Sequence, residues 1–487
     1  MRFRLIFSIL GSMTVLGGLM MIIPSLTDWF YGDKSSASIF ALSSALTVAV
    51  GLIVLLLTDT RHVPLRTKEM FVTTTAIWLT FILFSSFPLY FLKIDLTFID
   101  ALFEATSGLT GTGATVIPDL DKLSHGALLW RSLMHWMGGV GILVVAILIL
   151  PALQIGGMQL FNIEVSGESD RDTPTTAKNV MGICSYFVFL TVLATVCLWL
   201  AGMDMFDAIN HAMSVIATGG FSTHNESIAY YNSPTIEWIL SFFMFISGLP
   251  LMLGILLFRR HFEAIRNNEQ IRWFCWFVFS VVLFLIFARW YQTSFNNDQL
   301  SGILRTTIFD VLSIVTSTGF VIDNYTSWGA YASVVFLMLM FIGACTGSTS
   351  GGIKVFRFAV LMKTIRVKLK SAARPQGVFI PRYGKKPITE EVMSGVLVFM
   401  GLYALSLIGS MLLLSLYNLD LVTVFSGAVS MLSNIGPALG NMIGPDKTFA
   451  LLPQGVKLIM TFLMILGRLE FVAVYILMVP FFWKKNI

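Results

Sequence analysis

Ten long apolar runs occupy about half of this chain, and they confine it to folds whose solvent is hydrocarbon. A membrane-crossing helix needs about 20 mostly apolar residues. Such runs predict spans at 5–26, 38–58, 70–92, 126–150, 179–201, 235–258, 273–291, 331–342 continuing past an interruption to 353–366, 390–416 and 455–483. Of 487 residues, 56% are hydrophobic and 12% charged, against about 25% charged in a soluble domain. That balance excludes a soluble enzyme, a nucleic-acid binder and a disordered chain. Cys184, Cys197, Cys275 and Cys345 lie in apolar stretches without metal-like spacing, so neither a disulfide framework nor a zinc site is indicated. The first run follows Arg2 and Arg4 but is too long for a signal-peptide core and reads as a retained anchor. The expected fold is an all-α polytopic membrane protein with lipid around it.

Basic residues orient the spans, because cytoplasmic loops carry excess Lys and Arg. Arg61, Arg66 and Lys68 follow the second span, and Arg259, Arg260, Arg266 and Arg272 separate the sixth from the seventh. Lys363, Arg366, Lys368, Lys370, Arg374, Arg382, Lys385 and Lys386 lie between the eighth and ninth, and Lys484 and Lys485 follow the last. The opposite loops hold Asp119, Asp121, Asn225, Glu226, Asp298 and Asp323. Both termini are expected in the cytoplasm.

Four leftover segments are too rich in Gly, Ser and Thr to cross the membrane. They read SGLTGTGAT (107–115), SVIATGGFS (214–222), SIVTSTGFV (313–321) and SMLSNIGPA (430–438). Each has a Ser six residues before a Gly, at Gly113, Gly220, Gly319 and Gly436, and a cap-type residue thirteen before it: Asp100, Asp207, Thr306 and Thr423. The glycines lie 107, 99 and 117 residues apart, so a unit of about 100 residues recurs. Each unit is expected to hold a span, a short re-entrant helix, a loop and a second span. A short helix of about ten residues reaches halfway into the bilayer. Its C-terminal end, partially negative, favours a cation there. Irregular backbone at that depth must be buried in protein or line an aqueous path. A lone Gly in a membrane helix is more often a packing contact; four in matching positions favour a ring of carbonyl oxygens that replaces an ion's hydration shell.

The span at 331–366 is interrupted by ten residues, 343–352, with four Gly and four hydroxyl side chains. They do not form a Walker A loop, since Ile353 follows Gly352. They predict a break projecting into the pore, with Lys354 at its end. Arg468 in the last span is a costly intramembrane charge that should face a cavity or pair with Glu470 or with backbone carbonyls. Arg131, Arg305 and Lys457 read as interfacial anchors, His211 as a packing or hydrogen-bonding residue, and His135 and Trp136 as core.

The stretches GLTGTGAT, ATGGFSTH, TSTGF, GACTGSTSGGIKV and GRLE together resemble the Trk/Ktr/HKT superfamily of potassium uptake proteins. The resemblance covers nearly the whole chain. It implies four span–pore-loop–span units in one chain, at 61–158, 159–262, 263–375 and 376–487, after an N-terminal helix pair at 1–60. It implies a selectivity filter at Thr112, Gly113, Thr218, Gly219, Gly220, Thr318, Gly319, Ile435 and Gly436, with K+ at all of these except Thr218. It implies a gate formed by Thr346, Gly347, Ser348, Thr349, Ser350, Gly351, Gly352, Lys354 and Arg468. The implied partners are a second copy in a homodimer and a cytosolic TrkA-like ring of nucleotide-binding regulatory subunits, at a bacterial inner membrane. In the first loop Gly111 replaces a Thr usual in the family and is expected to add flexibility; Pro437 is expected to make the fourth loop the least regular. With no cluster of titratable residues for catalysis, the sequence is not expected to be an enzyme. The alternative to a gated channel is a potassium symporter driven by sodium or protons, which broken helices would favour; the sequence shows one.

Overall fold

A computed structural model describes residues 1–58, 65–92, 94–148, 176–258, 262–384 and 386–484. Arg61, Arg259, Arg260, Lys385 and Lys485, with the 158/159 unit boundary, lie outside the described residues.

Six helices are long and apolar enough to cross a membrane: Phe3–Phe30, Lys34–Leu56, Thr67–Phe91, Val180–Leu200, Glu269–Gln292 and Glu390–Ser415. Helix His125–Leu148 adds 24 residues. Only 17% of the apolar window in Glu269–Gln292 is buried, and Trp276, Phe279, Leu283 and Phe287 stand exposed on it. Such a surface is stable only against lipid. The expected interruption of the eighth span is present, between Ala330–Phe341 and Val355–Ala373. Two further breaks were not expected. The sixth span stops at Ser247 and resumes as Met252–Phe258. The tenth bends by 113° between Gln454–Arg468 and Val472–Met478.

Four short helices lie between the longer ones: Phe98–Thr110, Met205–Ile216, Leu300–Val315 and Leu421–Ser433. Their C-terminal halves are buried. The caps sit three residues earlier than the sequence spacing indicates. Thr97, Asp204 and Asp420 are the capping residues, and Asp100, Asp207 and Thr423 occupy the third helical position. Thr97 and Asp100 form a reciprocal capping box, whose third helical position also carries a short polar acceptor and so mimics a cap in the sequence. In the third helix Thr306 lies inside Leu300–Val315 and no side chain caps the start.

The N-terminal helices pack through small residues. A methyl group on Gly51 would come within 2.9 Å of the Gly11 carbonyl oxygen, and Ser44 donates to Gly18 O at 2.7 Å. Buried Asp28 joins this pair to the next helix. It accepts from Ser124 Oγ at 3.0 Å and from the Gly126 N–H at 2.5 Å, so it satisfies donors at the start of His125–Leu148 from almost 100 residues away in sequence.

Candidate functional site

All four short helices end alike. The residue two before each key glycine is left-handed: Gly111 at φ +63°, Thr218 at +52°, Ser317 at +53° and Asn434 at +51°. The next N–H reaches back to the recurring serine's carbonyl: Thr112 to Ser107 at 2.9 Å, Gly219 to Ser214 at 2.9 Å, Thr318 to Ser313 at 2.8 Å, and Ile435 to Ser430 at 3.0 Å. The left-handed residue itself bonds to Gly108, Val215, Ile314 and Met431 in turn. These two bonds define a Schellman helix end. The fourth loop follows the same pattern, so Pro437 leaves it as regular as the others up to Gly436. Gly111 takes the conformation the other three positions take with a side chain, and it removes strain rather than adding freedom.

The loops close on each other in chain order. The glycines have φ of +80°, +82°, +79° and +97°. A methyl group on Gly113 would overlap the Gly219 carbonyl oxygen; on Gly220, that of Thr318; on Gly319, that of Ile435; on Gly436, that of Thr112. The fourth contact returns to the first loop, so the cycle is complete. Every contact places a glycine Cα against the carbonyl preceding the next glycine, which no residue with a Cβ can match. Side chains brace the ring from behind. Thr110 and Thr112 share a hydroxyl contact at 2.7 Å, as do Thr316 and Thr318 at 2.8 Å. Asn434 Nδ2 donates to Thr112 Oγ1 at 3.0 Å and to Met464 O at 2.9 Å.

Segment 343–352 packs against the face of the ring where the short helices end. Its base is closed by parallel pairing of Ile342–Gly343 with Ile353–Lys354. Thr349 Oγ1 donates to Ile216 O at 3.2 Å and accepts from Thr218 Oγ1 at 3.1 Å. The Gly351 N–H donates to Ser317 Oγ at 2.6 Å, and a methyl group on Gly351 would overlap Ser433 O. Three of the four loops thus touch it. Thr346 and Gly347 sit at the break in the sixth span: Leu251 N donates to Gly347 O at 3.0 Å, Gln270 Nε2 to Thr346 O at 3.3 Å, and Cys345 N to Gly248 O at 3.0 Å. Ser348 and Ser350 share a hydroxyl contact at 2.8 Å. Gly352 turns the chain out at φ +72°. Lys354 Nζ bonds to Ser350 Oγ at 3.0 Å and to its carbonyl.

Arg468 is 4% exposed and donates to Thr349 O at 2.9 Å. Its remaining Nε and Nη2 have no partner among the described residues, and Nη2 would lie 3.5 Å from a methyl group on Gly111. Glu470 does not pair with it; that carboxylate holds Arg357. A buried charge with unused donors, set between segment 343–352 and the first loop, belongs beside an aqueous or ion-bearing space.

Of the residues read as interfacial anchors, Arg131 and Lys457 are paired inside the protein, while Arg305 is paired but partly exposed. Arg131 is 1% exposed and binds Glu104 at 2.8 Å. Lys457 binds Asp100 at 2.6 Å, and Arg305 binds Glu237 at 3.0 Å. His211 is a hydrogen-bonding residue, with Asp207 O at 2.8 Å and Ser222 Oγ at 2.9 Å. His135 does more than fill the core: Nδ1 meets Gly108 O at 2.6 Å and Nε2 meets the Phe221 N–H at 3.2 Å, joining the first and second loops. Glu104 was not singled out by sequence reasoning, although a carboxylate in an apolar half-crossing helix was its own signal. Among the described residues no group of His, Cys, Asp and Glu could hold a metal ion, so the oxygen atoms of the loops are the donors the site offers.

The sequence pattern of the TrkH family, described as cation transport protein, matches residues 36–485. The chain is 37% identical over 485 residues to the Trk system potassium uptake protein TrkI of Halomonas elongata, covering 99% of this chain and 98% of that one. It is 34% identical over 489 residues to the Trk system potassium uptake protein TrkH of Escherichia coli, covering all of both. It is also similar to the crystal structure of the potassium transporter TrkH from Vibrio parahaemolyticus, with a TM-score of 0.91, 30% identity, and 99% of this chain and 100% of that one covered.

Proposed function

Because this chain belongs to the TrkH family of cation transport proteins, we propose that it conducts potassium inward across a bacterial inner membrane through the ring of Gly113, Gly220, Gly319 and Gly436. The family is one of transporters rather than enzymes, and potassium is its transported ion. The observation that carries the proposal is the closed contact cycle of the four glycines. Four converging loops can offer backbone oxygens in place of water around a dehydrated ion, and the helix ends behind them add partial negative charge. Residues 112–113, 218–220, 318–319 and 435–436 are the filter in this reading. Thr346 to Gly352 and Lys354 are the gate, and Arg468 limits how many cations occupy the space beside it. The units 61–158, 159–262, 263–375 and 376–487 contribute one loop each, with 1–60 as an added pair. Both termini lie in the cytoplasm, the chain pairs with a second copy, and a TrkA-like nucleotide-binding subunit ring works the gate from that side.

Symport with sodium or protons is the second reading, and the two extra broken spans favour it. Purified protein in lipid vesicles separates the two. Current reversing at the potassium equilibrium potential, whatever the sodium and proton gradients, establishes channel-like conduction; a reversal potential that follows either gradient establishes coupling. Absence of any potassium-dependent flux from folded protein overturns both.

A further inference from the structure

We propose that Glu104 and Arg131 are positioning residues that fix the first loop against the second and thereby set the preference for potassium over sodium. The proposal rests on the ring being the filter. The register of the loops exposes a division of labour. Nine residues before the glycines stand Glu104, His211, Asp310 and Gly427; two residues after them stand Thr115, Ser222, Val321 and Ala438. In the first two loops the former holds the latter: Thr115 Oγ1 donates to Glu104 Oε1 at 3.0 Å, and His211 Nε2 contacts Ser222 Oγ at 2.9 Å. The third and fourth loops lack that hydroxyl. There the recurring serine ties the chain just beyond the glycine, Ser313 Oγ donating to Phe320 O at 2.6 Å and Ser430 Oγ to Pro437 O at 2.8 Å. The matching Ser107 and Ser214 hydroxyls have no partner among the described residues. All four loops are therefore held by their own short helices, two through the recurring serine and two through the residue nine before the glycine.

In the first loop that hold extends, through Arg131 of helix His125–Leu148, into a buried ion pair that spans the joint with the second loop. Glu104, fully buried, accepts from the Val116 N–H at 2.9 Å as well as from Thr115. Its Oε1 also accepts from Arg131 Nε at 2.8 Å. Arg131 continues across: Nη1 donates to Ser222 O at 2.9 Å, and the guanidinium lies 4.0 Å from the centre of the Phe221 ring. One end of the pair thus grips residues 115–116 and the other grips 221–222, two residues beyond the point where Gly113 meets Gly219. Burying two charges is unfavourable compared with apolar packing, and what it yields here is a rigid spacer of fixed length. A smaller sodium ion needs the ring to contract; a spacer that resists contraction favours the larger ion.

The test is the potassium-to-sodium permeability ratio of purified protein in vesicles, read from bi-ionic reversal potentials on material that elutes as folded wild type does. Glu104→Gln keeps an acceptor for Thr115 and Val116 but loses the charge facing Arg131. The double variant Glu104→Met/Arg131→Met removes both charges together, so neither is stranded. Thr115→Val leaves the ion pair in place and removes only the hydroxyl that Glu104 holds. The ratio is expected to fall about tenfold in the first two and about threefold in the third, the scale of losing a charged or a neutral hydrogen bond. A merely structural pair would change yield and melting temperature without moving the ratio. A wild-type ratio in all three, while Gly113→Ser lowers it, overturns the positioning role alone. A wild-type ratio in Gly113→Ser as well overturns the filter reading beneath it.

Discussion

Thr218 carries a β-branched side chain at φ +52°, a conformation that costs an L-residue about 1–2 kcal/mol. It sits where the second loop meets segment 343–352, and strain of this kind collects where a backbone must take one shape. Gly111 fills the same place in the first loop without strain. Two substitutions therefore separate backbone strain from steric collision. Gly111→Ala meets only ordinary contacts at 3.5 Å and beyond, and should cost about 1 kcal/mol of stability with selectivity kept. Gly220→Ala collides with the Thr318 carbonyl and should lower the potassium-to-sodium permeability ratio by at least ~tenfold, about 1.4 kcal/mol of discrimination. Melting curves and reversal potentials on the pair check this; equal effects on the ratio would remove the ring contact as its cause. At the mouth beyond the second glycine, His224 bonds to Asp121 at 2.9 Å and Asp207 at 3.1 Å and stacks on Tyr230 at 3.6 Å. Burial lowers its pKa, but the two carboxylates outweigh burial and leave it above the usual histidine value. A raised folded pKa means the stabilisation is complete below about 6.5 and lost as pH climbs through the higher folded value. The protection of amides 221–226, with the intrinsic rise of exchange with pH divided out, should fall over that window, and His224→Gln should remove that fall.

At the scale of elements, the segment 343–352 depends on the sixth span being broken. Pro250 ends that helix, and the freed groups become docking points for the segment, Gly248 O taking Cys345 N and Leu251 N reaching Gly347 O. Gly351→Ala places a methyl group on the Ser433 carbonyl and should lift the segment from the fourth loop. Basal potassium flux without any regulatory partner is expected to rise about tenfold, a shift of ~1.4 kcal/mol in a closed–open equilibrium; deletion of Thr346 to Gly351 should raise it further. Flux at the wild-type level in folded protein would show that the segment only packs. Sequence marked this element well, because a run of glycine and hydroxyl residues inside a span is a local signal. The bend in the tenth span had none. It turns on Glu470 and Phe471, both at positive φ without being glycine, and distant groups hold it: Arg357 pairs with Glu470, and Phe399 and Tyr403 pack 5.3 and 5.5 Å from the Phe471 ring.

Across the whole molecule the same contrast holds. The four glycines were legible because a close backbone approach admits only glycine and the spacing of serine and glycine recurs along the chain. The charges were misread as anchors because their partners are remote: Lys457 meets Asp100 at a separation of 357 residues and Arg131 meets Glu104 at 27, beyond any local window. Asp28 is another such long-range tie. Asp28→Ala should strip the start of His125–Leu148 of its carboxylate and lower stability by about 1–2 kcal/mol, seen as a lower melting temperature in detergent with the loops' selectivity unaltered; an unchanged melt would mean that the N-terminal pair is held elsewhere. The closed cycle of glycines has a consequence of its own. A channel assembled from four identical subunits changes every quarter of its aperture with any one mutation. Each quadrant of the filter we propose is encoded separately, at Gly113, Gly220, Gly319 and Gly436, so evolution can retune one side of it while the other three stay as they were, and an asymmetric aperture becomes reachable one codon at a time.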